Sequence, residues 1–224
     1  MKYYTDPGSG SCRRVSAVIE HLSLDVEEIF IDLFKGEADT PEYLSINPNG
    51  MVPALVDGKL IIWEAAAIMI YLCEQAGDHE LLPTGAARYE VWRWMFWAAE
   101  HFRQPAPMYF EERLVAKLMG KPADESRIAE ADRRILQFAP VLEAHLEKRR
   151  YVVGDHVTLA DFDLAAPLSQ MSRTHVPYDT YPNIIRWYQH LTQEVPAWRI
   201  TGERLDHRMN SALSVTENET KELT

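Results

Sequence analysis

"PEYLSINPNGMVPALVDGKLIIWEAAAIMIYL" occupies residues 41–72, and its punctuation sets a short helix, two strands and a long helix in order. Thr40 can cap a helix that Pro41 begins, and Pro48 with Gly50 ends it. "PALV" and "KLIIW" flank the turn pair Asp57-Gly58, which predicts a β-hairpin. From Glu64 to Ala76 the run is strongly helical, with Ala67, Ile68, Tyr71 and Leu72 as the expected buried stripe and Gly77 as its stop. The stretch therefore reads as a ββα unit entered through a short helix.

Upstream, Lys2 to Thr5 reads as a strand, "DPGSG" as a turn, and Ser11 to Leu22 as a helix with Val15, Val18, Ile19 and Leu22 on one face. "VEEIFID", rich in β-branched and aromatic residues, predicts a second strand, so the chain opens on a βαβ unit. Downstream the character changes. "GDHELLPTGAA" carries turn formers without periodicity, and beyond Arg88 the chain reads as helices broken at 103–107, 120–124, 152–156, 175–183 and Pro196. In "TLAD", Thr158 and Asp161 form a capping box before an apolar run. The expected organisation is an α/β domain over 1–77, a linker over 78–87, an all-α domain over 88–207 and a polar tail over 208–224.

The 224 residues are 46% hydrophobic and 10% aromatic, enough for packed cores, with a net charge of −11 that repels a polyphosphate backbone. Nucleic acid is not an expected partner. No run approaches the roughly 20 apolar residues of a membrane span, and the N-terminus lacks the apolar stretch of a secretory signal. Cys12 and Cys73 are too few for a disulfide framework and are not spaced as metal ligands, so a cytoplasmic protein without a metal is expected. The triplet Asn218-Glu219-Thr220 matches a glycosylation acceptor, which carries no weight without an export signal.

Residues 41–72 closely resemble the glutathione-binding half of the soluble glutathione transferases. "GDHVTLADFDLAAPL" (154–168) and "YPNIIRWYQHL" (181–191) are similar to pieces of that family's helical domain. The resemblance implies a thioredoxin-like domain followed by a helical one, a likeness to the bacterial-type, serine-using members, and a homodimer in a cytosol. It also implies an activity in which the glutathione thiol attacks a small, largely apolar electrophile.

Residue by residue, the resemblance makes the bond before Pro53 a cis peptide that turns the backbone of Val52 toward the cysteinyl unit of glutathione. Glu64 and Ala65 fall where the family has an acid and a serine gripping the γ-glutamyl end at a helix N-terminus, where free N–H groups favour a carboxylate. Ala65 departs from that pattern, since a hydroxyl donor worth on the order of 1 kcal/mol is missing. A second departure is Ala38-Asp39, where relatives carry basic residues; Lys35 is the candidate to hold the glycyl carboxylate, or else a solvated surface lysine. In "RYEVWRWMFWAAEHF" (88–102), Trp94, Trp97 and His101 share a face, and Trp97, Phe102, Met108 and Tyr109 are the candidate electrophile contacts, with core packing as the alternative for such a stripe.

The chemistry needs a thiolate, because a free thiol has a pKa of about 8.5 and the neutral form is a poor nucleophile. Lowering that by roughly 2 units takes about 2.7 kcal/mol of preference for the anion. A hydroxyl donor and the positive end of the first helix can supply it. Laid on the family pattern, Ser9 is the expected thiolate-stabilising residue, with Ser11, Cys12 and Tyr4 as alternatives; turn formation and helix capping are the plain roles of the two serines. Cys12 defines a rival activity, a glutathione-dependent thiol-disulfide or peroxide reductase. Ala65 keeps a third reading open, a non-catalytic binding protein of the same fold. Arg13 and Arg14 are expected either to raise the local potential for an anionic tripeptide or to be surface charges, and Cys73 to be a buried small apolar residue.

Overall fold

In the computed structural model, which describes the backbone of residues 1–222 and the side chains of residues 1–214, four strands form one sheet in the order β2-β1-β3-β4. β1 (Lys2–Thr5) pairs in parallel with β2 (Glu27–Phe30) across the intervening helix α1 (Gly10–His21). β3 (Ala54–Asp57) runs antiparallel to both β1 and β4 (Leu60–Trp63). Being central, β1 is paired along both edges, and Tyr3 is fully buried with its hydroxyl donating to the Cys12 carbonyl at 2.9 Å. The hairpin loop is Gly58-Lys59, one residue later than expected, because Asp57 pairs with Leu60 and the positive φ of +59° falls on Gly58. This is a thioredoxin-like α/β unit.

Two compact units divide the chain: Met1–Asp78 together with the stretch from Pro196 onward, and His79–Val195. In the first, α2 (Pro41–Leu44) begins at the Thr40 cap, whose hydroxyl accepts the Tyr43 N–H. α3 (Ala65–Ala76) ends at Gly77 in the left-handed conformation. Its buried stripe is Ala65, Ile68, Met69, Leu72 and Cys73, a correction to the expected Ala67–Tyr71 face: Ala67 is exposed and Tyr71 half-buried, its hydroxyl donating to Asp57 at 2.6 Å. The helix is apolar nearly all round, so periodicity alone does not select a face.

The helix α11 (Pro196–Glu222) belongs to this first unit, so the expected helical body over 88–207 loses its end and the expected polar tail begins as ordered helix. Trp198, Thr201, Leu205 and Met209, spaced three and four apart, are buried against α1. Arg13 and Arg14 are buried too, which corrects the expectation of surface charges. The Arg13 guanidinium lies 3.8 Å from the Trp198 ring centroid and donates to the Trp198 carbonyl at 2.9 Å. It fits because residue 202 is glycine; a Cβ there would sit 2.6 Å from Arg13 Nη2. The side chains of Asn218–Thr220 lie outside the described residues.

The second unit is helical: α4 (Ala86–Trp97) runs into a π-helical stretch (Ala98–Phe102), and α5 (Pro105–Tyr109) into another (Phe110–Val115) leading to α6 (Ala116–Leu118). The expected break at 103–107 shrinks to two residues, since Pro105 opens α5 where its missing N–H leaves no bond unmade. α7 (Glu125–His145), α8 (Leu159–Ala165), α9 (Met171–Thr174) and α10 (Pro182–Glu194) follow. The buried carboxylate of Asp161 accepts N–H bonds from Val152 (2.8 Å), Thr158 (2.9 Å) and the Trp187 indole (2.9 Å), and the Thr158 hydroxyl at 3.0 Å. Burial nevertheless pushes that carboxyl up to about 6 against these bonds. Among the described residues, no helix is long and apolar enough to cross a membrane.

Candidate functional site

Strand directions bring the expected site segments to one edge of the sheet. β1 ends at Thr5 on that edge and β2, parallel to it, ends there at Phe30. β3, antiparallel, begins there at Ala54 just after the Val52–Pro53 bond, which is cis. β4 ends there at Trp63, immediately before α3. Ser9, Val52, Pro53, Glu64, Ala65 and Lys35 are thus carried by loops at the same rim, although they span 57 positions of sequence.

Ser9 is the N-cap of α1: its backbone is extended (φ −84°, ψ 125°) and its Oγ accepts the Cys12 N–H at 3.4 Å. Its own N–H donates to the Asp6 carbonyl at 2.9 Å. The first turn of α1 contains no acidic residue, so the partial positive charge of the free N–H groups is not compensated from within the helix. Ser11, half-buried, is the second residue of that turn.

The cis-proline loop is held from behind, because the Met51 carbonyl accepts both the Tyr43 hydroxyl and the Asn47 amide at 2.6 Å. Val52 and Pro53 are buried. On the neighbouring strand end, Glu64 has φ +73° and ψ 110°, a conformation that costs a non-glycine residue on the order of 1–3 kcal/mol. Its side chain makes no cap bond to α3 and is exposed, while Ala65 is buried, which leaves the first N–H groups of α3 without a side-chain cap. Two helix N-termini and a cis-proline loop therefore meet at one rim, where the free N–H groups of the helix starts favour an anion.

Models of known families match both ends of this picture: "Glutathione S-transferase, N-terminal domain" over residues 1–74 and "Glutathione S-transferase, C-terminal domain" over residues 105–194. The chain belongs to the glutathione transferase family. It is 34% identical over 178 residues to glutathione S-transferase F10 of Arabidopsis thaliana, covering 78% of each chain. Among solved structures it is similar to glutathione transferase F7 of Populus trichocarpa, with a TM-score of 0.82, 25% identity, and 91% of this chain and 98% of that one covered. It is also similar to glutathione S-transferase-I bound with lactoylglutathione, with a TM-score of 0.78, 26% identity, and 91% and 98% covered.

Several residues expected to act in a glutathione transferase lie elsewhere or are otherwise engaged. Cys12 is fully buried beside Tyr43, Val52 and Ala54, and burial pushes its thiol up although hydrogen bonds from the Asp6 backbone, Thr5 and Ser9 favour the anion. A nucleophilic cysteine needs the opposite, an accessible and depressed thiol. Cys73 is likewise buried, its thiol pushed up to about 12. Tyr4 is half-buried with its ring tilted on Tyr43 at 6.0 Å. Lys35 is exposed, 3.4 Å from Asp32, while Ala38 is buried and Asp39 exposed.

In the helical unit, Phe102 is core rather than a substrate contact: it is 1% exposed, with its ring between Trp97 (5.7 Å) and Tyr178 (5.2 Å). Tyr109 is buried and donates to Asp132 at 2.5 Å, and burial with that bond raises its hydroxyl pKa. Trp97 and Met108 are half-buried.

Sequence reasoning missed Asp6, Asp32 and Arg208. Asp6 and Asp32 follow β1 and β2 closely, and both are buried under the Arg208 guanidinium. The signal that could have found Arg208 is the Trp198, Thr201, Leu205, Met209 spacing, which continues an amphipathic helix through the stretch expected to be a tail.

Proposed function

We infer that this chain is a serine-using glutathione transferase: it binds glutathione at the rim of its thioredoxin-like unit and holds the thiol as a thiolate beside Ser9. The observation that carries the reading is the position of Ser9, capping an acid-free helix start on the same sheet edge as the cis Val52–Pro53 bond and the N-terminus of α3. The thiol proton leaves to water, the Ser9 hydroxyl donates to the sulfur, and the helix dipole favours the charge. The thiolate then forms a carbon–sulfur bond with a small apolar electrophile, whose leaving group departs with the bonding electrons. Ser11 and Tyr4 are the remaining donors.

Val52 supplies backbone hydrogen bonds to the cysteinyl unit, while Glu64 and the N–H of Ala65 hold the γ-glutamyl end. Lys35, exposed and paired with Asp32 at 3.4 Å, is the candidate for the glycyl carboxylate. The relatives from Arabidopsis thaliana and Populus trichocarpa are plant proteins, so the reading keeps the serine-using part of the expectation and sets aside the bacterial-type part. It includes a homodimer, supported by the edge strand β4, where Leu60, Ile61 and Trp63 are 47%, 45% and 42% exposed. Two free, buried cysteines suit a reducing cytosol.

Calorimetric titration with glutathione, paired with a turnover assay on a chromogenic aryl halide, tests this. Binding with turnover upholds the reading. Binding without turnover leaves a non-catalytic glutathione-binding protein, and neither would overturn both.

A further inference from the structure

Arg208, on α11, joins two buried carboxylates at the rim that carries Ser9. Its Nε and one Nη approach the two oxygens of Asp6 at 3.1 and 3.2 Å, and the same Nη reaches Asp32 Oδ1 at 2.5 Å. The rings of Phe30 and Phe34 each lie 5.0 Å from the guanidinium carbon. Lys35 approaches the outer oxygen of Asp32 at 3.4 Å, and Glu37 accepts the Asp32 N–H at 2.8 Å. Every partner belongs to the first unit.

Asp6 passes this anchoring on to Ser9. Its Oδ1 accepts the Gly8 N–H at 2.8 Å, its Oδ2 accepts the Leu33 N–H at 3.3 Å, and its carbonyl accepts the Ser9 N–H at 2.9 Å. The helix lies directly over the loop: a Cβ on Gly8 would sit 3.0 Å from Met209 Sδ and 3.3 Å from Arg208 Cγ. Both the direction of the Ser9 hydroxyl and the electrostatics of the rim therefore depend on this contact. With Arg208 absent, Asp6 would lose its ion-pair partner and Asp32 would keep only the exposed Lys35, at the rim where the proposed thiolate forms, and like charges disfavour that ionisation.

We propose that Arg208 is a positioning residue for the transferase reaction, fixing the Asp6–Ser9 loop and neutralising Asp6 and Asp32 so that Ser9 can stabilise the glutathione thiolate. This rests on the reading of Ser9 given above. A merely structural arginine would affect melting alone; a positioning one also moves the ionisation of bound glutathione.

The test is the pH dependence of the ultraviolet thiolate absorbance of bound glutathione in the full chain, for wild type, Arg208→Met, Ser9→Ala and the double variant, with kcat and KM alongside. Arg208→Met should raise the bound-thiol pKa by about 0.5 to 1 unit, a loss of about 3- to 10-fold in thiolate below that pKa. Turnover should recover at higher pH, and in the Ser9→Ala background the same substitution should add little beyond its charge effect. An Arg208→Met protein that melts earlier yet keeps the wild-type profile overturns the proposal while Ser9→Ala still shifts it. A Ser9→Ala protein with an unmoved profile removes the serine reading and this proposal together. Should Arg208→Met not fold, Arg208→Gln, which removes the charge and the bidentate fork but keeps an amide donor, decides in the same way: a raised pKa upholds the proposal and an unmoved one overturns it.

Discussion

The Ser9 hydroxyl accepts the Cys12 backbone N–H at 3.4 Å, near the outer limit for such a bond. The cap is therefore weak, and the hydroxyl proton is left to point elsewhere. Ser9→Ala should cost at most about 1 kcal/mol of stability, about 2–4 °C in Tm, measured by thermal unfolding. Turnover should fall far more than that; equal losses in both would make Ser9 a cap only.

Cys12 is walled in by Ile31, Ala38, Tyr43, Val52 and Ala54. Cys12→Ala should lower stability by about 1 kcal/mol through lost packing and leave turnover nearly unchanged. The native thiol should also resist an aromatic disulfide reagent until denaturant is added. Abolished turnover in Cys12→Ala would restore the reductase reading.

At the start of α3 the chain has alanine where the proposed binding mode would place a hydroxyl against the ligand's carboxylate. Ala65→Ser should tighten glutathione binding by about 3- to 10-fold, roughly 1 kcal/mol for one added hydrogen bond to charge, as read by calorimetry. Unchanged affinity would mean that the γ-glutamyl end does not reach this helix.

In the helical unit, Asp161→Ala strands the N–H groups of Val152, Thr158 and Trp187 in the interior and should cost at least about 3 kcal/mol. Asp161→Asn probes the sign of the pH dependence. With the folded carboxyl at about 6 and the unfolded one near about 3.9, the native state binds the extra proton between them, so the wild type loses stability as pH rises through that window. The neutral asparagine does not, and the Tm gap between the two should narrow from about pH 4 to about pH 6. A gap that widens would show the carboxylate to be favoured by its four donors.

The ββα unit was legible because its signals are local: Pro41, Asp57-Gly58 and Gly77 act within a turn of themselves. The capping box at Thr158 and Asp161 was legible for the same reason. What escaped depends on partners far along the chain. Arg13 finds its carbonyl on Trp198, 185 residues away, and Arg208 finds Asp6 and Asp32 at 202 and 176 residues. Charged side chains read by default as exposed, and only the folded neighbourhood shows when burial is compensated. Phe102 illustrates the converse, since an aromatic stripe on a helix does not distinguish a pocket wall from core.

The central claim is that Ser9 lowers the thiol pKa of bound glutathione. The most direct measurement is the ultraviolet thiolate absorbance of the glutathione complex as a function of pH, in wild type and Ser9→Ala. The account predicts a bound-thiol pKa below about 7 in the wild type and a rise of about 1 unit or more in the variant. Identical titration curves for the two proteins, with glutathione bound in both, would contradict it.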